Sequence, residues 1–255
     1  MTKKIVLTLL AAVATATAGT QALNAQDYVE GGLQGSSVSA STTYASQSVW
    51  RGVSRGEDYF QFSVLGDVEL ANGFTVFSGA SYYSTDEVTD EFVFTGGLVK
   101  NFADAGLAGT NLGVLFNYYS EGSDESGVIT SEVGIRLSQD FDNVMIPFNN
   151  LSITQYLTTE GNSQGYGVVE ATETISILNL PIDITASLGY LADVQEYTHA
   201  QVLLSTDIQT AVDGLTVSPF VSYTASLGDG SDGLEGMYIS AKNEAAVGLR
   251  ATYNF

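Results

Sequence analysis

The C-terminal stretch Ala245-Ala-Val-Gly-Leu-Arg-Ala-Thr-Tyr-Asn-Phe255 alternates between apolar residues and small or polar ones. A period of two is typical of a β-strand, because successive side chains of a strand point to opposite faces. One face carries Ala245, Val247, Leu249, Ala251, Tyr253 and Phe255, and the other carries Ala246, Gly248, Arg250, Thr252 and Asn254. The stretch therefore predicts a strand with an apolar face that ends in aromatic rings and a small, polar face.

The same alternation recurs along the chain from Val38, and no convincing stretch of helical spacing interrupts it. Clear examples run from Phe60 to Leu70, from Ile129 to Asp140 and from Ile182 to Tyr190. The predicted strands cover residues 38–50, 59–71, 73–84, 91–101, 110–120, 127–140, 148–158, 165–177, 182–192, 196–210, 215–227 and 243–255. The pattern thus predicts an all-β fold of about twelve strands, and single-chain bacterial barrels have an even number.

The connections between these strands alternate in character. Asn72-Gly73, Asn179-Leu180-Pro181 and Asp213-Gly214 are short turns. The intervening connections are more polar and acidic: Glu57-Asp58, Asp86 to Glu91, Glu121 to Gly127, Glu160 to Gly165, Asp193 to Glu196 and Gly228 to Asn243. Short turns at one rim and longer loops at the other indicate a transmembrane antiparallel up-and-down β-barrel. The segments 102–109 and 141–147 are longer than this scheme expects.

Aromatic residues collect near the ends of the predicted strands, and we expect them to form the girdles found at membrane interfaces. These residues are Tyr82, Tyr83, Tyr118, Tyr119, Tyr156, Tyr190, Tyr223, Tyr253 and Phe255. A secreted soluble sandwich is the alternative fold, with the same rings filling its core. The strand length favours the barrel, because sandwich strands are usually shorter.

The N-terminus has the features of a secretory signal peptide. Lys3 and Lys4 precede an uncharged run from Ile5 to Ala18, and small residues lead to Ala22 and Ala25. The expected organisation is a cleaved signal peptide over residues 1–25 and an outer-membrane barrel over residues 26–255. Export without any cysteine means that the fold contains no disulfide.

The charge balance excludes some classes of partner. The chain has 8 Lys+Arg and 29 Asp+Glu, and without Lys3 and Lys4 six basic residues remain against 29 acidic ones, a net charge of −23. Nucleic acid is therefore excluded as a partner, since phosphate binding requires a basic surface. Intrinsic disorder is excluded as well, because 44% of the residues are hydrophobic.

The polar faces of the strands carry charged residues that would point into the lumen. They are Asp67, Glu69, Glu132, Arg136, Asp183 and Arg250, and the assignment extends to Lys100 and Glu173, where the alternation is weaker. A basic residue facing lipid costs about 2–4 kcal/mol near the midplane, which supports this register. An excess of carboxylates in a water-filled lumen favours cations. In a closed interior the same charges would form salt bridges that only fill space.

The chain offers no convincing catalytic or metal site. His199 is the only histidine, and Tyr197, His199 and Gln201 are expected to share one strand face without a suitably spaced nucleophile. Zinc and copper are disfavoured because there is no Cys and one His. Asp229-Gly-Ser-Asp-Gly233 offers carboxylates for calcium, but it lacks the spacing of an EF-hand. We predict no enzymatic activity and no cofactor.

Two stretches resemble known outer-membrane proteins. The ending Arg250-Ala-Thr-Tyr-Asn-Phe255 is similar to the terminal signal of outer-membrane barrels, which implies that Leu249, Ala251, Tyr253 and Phe255 are recognised by the barrel-assembly machinery. Tyr44-Ala-Ser-Gln-Ser-Val-Trp-Arg-Gly-Val-Ser54 resembles the opening strand and first loop of the TorF-type porin family of bacterial outer membranes. The resemblance extends to Asp67, and it departs from the family pattern at Ser48-Val-Trp50 and Arg55-Gly-Glu57. It implies a porin-like barrel.

These features predict a channel of the bacterial outer membrane, surrounded by lipid, for passive diffusion of small solutes or ions with a preference for cations. The alternative is a non-conducting barrel whose acidic loops have a surface-binding or structural role. An enzyme of the membrane phospholipase or protease kind would need His199 as its base.

Overall fold

The computed structural model describes residues 36–50, 53–86, 91–120, 131–141, 148–159, 165–192, 196–227 and 243–255. The predicted signal peptide and most of the predicted acidic loops lie outside these residues. The signal peptide and its cleavage therefore stay predictions.

The described residues form thirteen β-strands. In chain order they are β1 Ser36–Trp50, β2 Val53–Leu70, β3 Phe74–Ser84, β4 Glu91–Asn101, β5 Thr110–Ser120, β6 Ser131–Asp140, β7 Asn150–Thr158, β8 Gly165–Ile177, β9 Leu180–Leu191, β10 Glu196–Ser205, β11 Ile208–Gln209, β12 Leu215–Ser226 and β13 Glu244–Asn254. Two 3₁₀ turns, Ala71–Gly73 and Ala103–Ala105, lie between strands. Within these ranges no helix is long and apolar enough to span a membrane.

Twelve of these strands close into a ring. Each strand from β1 to β10 pairs antiparallel with the next, β10 pairs with β12, β12 with β13, and β13 with β1. Closure pairs both edges of every strand in the ring, which is what a sheet needs in a solvent that offers no hydrogen bonds. The predicted antiparallel barrel of about twelve strands is confirmed.

The two-residue strand β11 is a continuation of β10. Ser205 lies opposite Phe220 and Ile208 lies opposite Val217, so the register is the same on both sides of the break. The break faces Pro219, which has no N–H to donate, and only one long bond of 3.4 Å runs from Thr206 N to the Pro219 carbonyl. The predicted strand 196–210 is therefore one strand interrupted by a proline on its neighbour.

Most of the described turns lie at one rim of the barrel. We call the rim that holds residues 71–73, 102–109, 141, 148–149, 178–179 and 210–214 the turn rim, and the opposite one the loop rim. The turn between β8 and β9 is Leu178-Asn179, with φ of 53° and 65° as a two-residue hairpin turn requires, whereas the predicted turn is Asn179-Leu180-Pro181. Leu180 and Pro181 are instead the first residues of β9. Asn72 and Gly73 are also in the left-handed region, at 62° and 70°.

The first loop-rim connection differs from the prediction. Glu57 and Asp58 lie inside β2, where Glu57 is opposite Gln47, and the pairing of β1 with β2 continues as far as Trp50 and Val53. The register shifts between Ser48 and Val49. This bulge adds one unpaired residue and lets the β1–β2 hairpin extend past the polar pair that resembles a loop.

The barrel is apolar outside and polar inside. Among the described residues, the large exposed side chains include Val114, Ile135, Leu157 and Val247, while the buried set is mostly Ser, Thr, Asn and a few charged groups. A soluble sandwich would show the opposite distribution, with its apolar faces buried between two sheets. The distribution is that of a barrel whose outer surface contacts lipid.

Candidate solute pathway in the lumen

The structure places all six of the predicted lumen charges on the inner face. Asp67 and Glu69 lie on β2, Glu132 and Arg136 on β6, Asp183 on β9 and Arg250 on β13. Each is opposite another inner residue, as in Asp67 with Phe77, Arg136 with Gly113 and Arg250 with Ser218. Their role in solute passage stays a prediction.

Lys100 points outward, which corrects the extended assignment. It lies opposite Phe74 and Leu112 on the outer face of β4, close to the turn rim. Its ammonium donates to the Asn72 carbonyl and lies 3.2 Å from the Asp104 carboxylate. The long side chain therefore keeps its charge at the rim while its stem covers apolar surface.

Glu173 also points outward. Its neighbours Thr172 and Thr174 point inward, where Thr172 meets Thr185 and Thr174 meets Asp183. Glu173 itself lies opposite Ile184 on the outer face. This part of β8 has polar residues on both faces, so its sequence shows no clear alternation. The prediction therefore assigns Glu173 to the wrong face.

Sequence reasoning missed six inner carboxylates. They are Glu57, Glu91, Asp140, Glu170, Asp207 and Glu244, which lie on the inner face opposite Gln47, Tyr83, Asn150, Ser187, Ser218 and Thr224 respectively. Most of them lie at or near strand ends, where a short apolar pattern does not define the face. The described inner face therefore carries ten carboxylates and two guanidinium groups.

Arg136 and Glu170 form an ion pair across β7. Arg136 Nη2 lies 3.9 Å from Glu170 Oε2, and Ser152 between them is 3.2 Å from the guanidinium and 3.4 Å from the carboxylate. Both side chains are largely buried, with exposed fractions of 12% and 17%. The predicted carboxylate partner of Arg136 thus exists, on a strand where the sequence did not place it.

Hydroxyl groups of neighbouring strands donate to three other inner carboxylates. Tyr119 donates to Glu132 at 2.9 Å, Thr174 to Asp183 at 2.6 Å and Ser218 to Asp207 at 2.5 Å. A hydroxyl donor fixes the orientation of the carboxylate and brings no charge of its own. The acidic character of the lumen is therefore built into the wall.

The inner face is packed on one side and accessible on the other. Every inner residue of β5 is buried, and Phe77 on β3 and Glu132 on β6 are 2% and 1% exposed. On β9, β10 and β13 most inner residues keep partial exposure, as Thr185, Gln201 and Arg250 do, and on β12 half of them do. We call the inner faces of these four strands the accessible wall.

Several rings that the sequence assigns to the girdles lie inside the barrel instead. Tyr83, Tyr119 and Tyr156 point inward, because each is opposite an inner residue: Gln61, Val93 and Gly134. Tyr82 and Tyr118 point outward, because adjacent residues of a strand lie on opposite faces and Tyr83 and Tyr119 point inward. The outer face also carries Tyr190, Tyr223, Tyr253 and Phe255, as predicted.

His199 is a wall residue in a row of rings. It stacks on Tyr166 with a centroid distance of 6.3 Å and an interplanar angle of 8°, and its Nδ1 lies 2.9 Å from Thr198 Oγ1. A register shift between Tyr197 and His199 turns Tyr197 to the outer face, so the predicted shared face of these two residues is wrong. The Thr198 hydroxyl thus faces the imidazole.

The described side chains contain no group of three or more His, Asp or Glu residues that could hold a metal ion. The predicted calcium-loop candidate, Asp229 to Gly233, lies outside the described residues.

The residues of the predicted assembly signal lie on and directly after β13. Leu249, Ala251 and Tyr253 share the outer face of β13, and the rings of Tyr253 and Phe255 meet edge to face at 4.8 Å. The Phe255 N–H donates to the Val38 carbonyl at 2.9 Å, which ties the end of the chain to β1. Recognition by the assembly machinery stays a prediction.

Comparison with known proteins identifies the fold. No family model matches the chain, and no curated protein matches it in sequence. An outer membrane channel from Pseudomonas putida F1 is 10% identical with a TM-score of 0.53, over 92% of this chain and 100% of that one. The translocator domain of the autotransporter NalP from Neisseria meningitidis is 14% identical with a TM-score of 0.50, over 99% and 95%. The chain therefore has the fold of outer-membrane β-barrels.

Proposed function

We propose that the protein is a narrow channel of the bacterial outer membrane through which small solutes or ions diffuse passively, with a preference for cations. The observation that carries this proposal is the excess of carboxylates on the inner face, ten against two guanidinium groups among the described residues. A negative lumen raises the local concentration of cations and lowers that of anions.

The position of these charges supports the same function. Asp183, Asp207 and Arg250 lie on the accessible wall, whereas Glu132 is packed behind Tyr119 on the opposite side. A solute that follows the accessible wall would meet the first three groups and not the fourth. The path is narrow, because small barrels leave little interior space and one side is filled by side chains.

The resemblance of Tyr44 to Ser54 to TorF-type porins agrees with this proposal. The lipid-facing apolar surface and the C-terminal Phe255 fit insertion in an outer membrane. Lipid and the assembly machinery are then the expected partners, together with the permeating solutes.

Planar-bilayer recording of the refolded chain under a salt gradient tests the proposal. We expect stable conductance steps and a reversal potential of the sign that cation preference produces. A barrel that folds and inserts but stays silent would contradict the channel, and steps without cation preference would contradict the selectivity. Silence would favour the rival function, a non-conducting barrel acting through its acidic loops.

A further inference from the structure

Among the described residues, Arg250 is a cation without an ion pair in an acidic wall. Its opposite neighbours on β12 and β1 are Ser218 and Thr43, both uncharged. No carboxylate of the described residues lies within ion-pairing distance of its guanidinium. Arg136, by contrast, has Glu170 at 3.9 Å. A guanidinium that keeps partial exposure and no ion pair is available to a carboxylate from a solute.

The Asp207 carboxylate lies in the same cross-strand row as Arg250, with Ser218 between them. Ser218 is opposite Arg250 and donates to Asp207 at 2.5 Å, so Asp207, Ser218 and Arg250 form one row across three neighbouring strands. Adjacent strands are about 4.8 Å apart, which separates the backbones of Asp207 and Arg250 by about 10 Å. Asp183 lies next to this row, opposite Ser205 on β10.

We propose that this row, with Arg250 at one end and Asp207 at the other, is a binding subsite for small zwitterions that carry one ammonium and one carboxylate. The guanidinium receives the carboxylate of the solute and Asp207 receives its ammonium, each through charge-assisted hydrogen bonds. The inference rests on the proposed channel function and names the solute class of that channel.

Solute entry into proteoliposomes that contain the refolded chain tests this subsite. Alanine is the zwitterionic probe, its neutral isomer lactamide measures the width of the path, and lactate measures the response to an anion alone. We expect alanine to enter at least about twofold faster than lactamide, and lactate to enter more slowly than both because the lumen is acidic.

Variants at the two ends of the row separate binding from pore size. Arg250→Gln and Asp207→Asn should each bring the ratio of the alanine rate to the lactamide rate down to about one, whatever either variant does to the lactamide rate itself. Glu132→Gln is the matched control, because it removes a charge that is 1% exposed and bonded to Tyr119. It should preserve the advantage of alanine. If Arg250→Gln fails to fold, Asp207→Asn alone decides the result.

The outcomes distinguish this inference from the channel itself. If lactamide does not enter, the proposed channel function fails. If lactamide enters but alanine has no advantage, or keeps its advantage in Arg250→Gln, the channel stands and the subsite is overturned. If lactate enters as fast as alanine, Arg250 acts as a simple anion site, which also overturns the proposal.

Discussion

The phenol ring of Tyr156 lies directly over Gly134, its opposite neighbour on β6, so that a methyl group at residue 134 would stand 2.8 Å from the ring. Three other inner rings have the same relationship with a glycine opposite them: Phe77 with Gly97, His199 with Gly189 and Phe220 with Gly248. Each ring can lie flat against the barrel wall only because the glycine opposite it has no side chain. The glycines therefore keep four bulky rings away from the axis of a small barrel.

Gly134→Ala tests this arrangement. The new methyl group displaces the Tyr156 ring toward the lumen, and overpacking of this kind lowers the free energy of unfolding by about 1–3 kcal/mol. Urea unfolding in detergent micelles, followed by far-UV circular dichroism, measures the loss. The displaced ring should also reduce single-channel conductance.

Two controls isolate the contact. Gly113→Ala introduces the same methyl group on the inner face of β5, where its nearest neighbour is 3.4 Å away, and should change stability little. In a Tyr156→Ala background, Gly134→Ala should lose most of its cost. An equal cost in both backgrounds would show that the ring is not what Gly134 accommodates.

The sequence predicts the strands better than it predicts the content of the lumen. A strand such as β13 reveals both its span and its faces, because five apolar residues alternate with small or polar ones. At Tyr82-Tyr83 and Tyr118-Tyr119 two adjacent rings suit an aromatic girdle equally, and only the register assigns one of each pair to the interior. The sequence pattern does not predict the bulge between Tyr197 and His199. Glu170 and Asp207 can be assigned to the inner face only once the pairing of their strands with the neighbouring strands is known.

The ion pair of Arg136 and Glu170 provides a second prediction. Arg136→Gln leaves the Glu170 carboxylate largely buried without its counter-ion, which should lower the free energy of unfolding by about 2–3 kcal/mol. The double variant Arg136→Met with Glu170→Met removes both charges and should recover most of that loss. Urea titration of the three proteins in micelles gives the comparison. A double variant less stable than Arg136→Gln would mean that the charges themselves stabilise the wall.

Neighbouring residues in the middle of β9 test which surface faces lipid. Ala186 is exposed on the outer face, and Ser187 is on the inner face opposite Glu170. Ala186→Arg should destabilise the barrel in bilayers by about 2–4 kcal/mol, since it places a cation in lipid. Ser187→Arg should cost less, because the new guanidinium lies beside a carboxylate in the lumen. Equal losses for the two variants would contradict the assigned faces.

Neutralising carboxylates on opposite sides of the lumen tests how selectivity arises. Asp183→Asn and Asp207→Asn remove charges from the accessible wall, so each should shift the reversal potential toward zero under a salt gradient, and the two shifts should add. Glu132→Gln removes a carboxylate of the packed side that is bonded to Tyr119, and its reversal potential should stay close to that of the unmodified protein. If selectivity followed only the total charge of the lumen, all three variants would shift it equally. A larger shift for Glu132→Gln would place the solute path along β3–β7 and remove Asp207 and Arg250 from it.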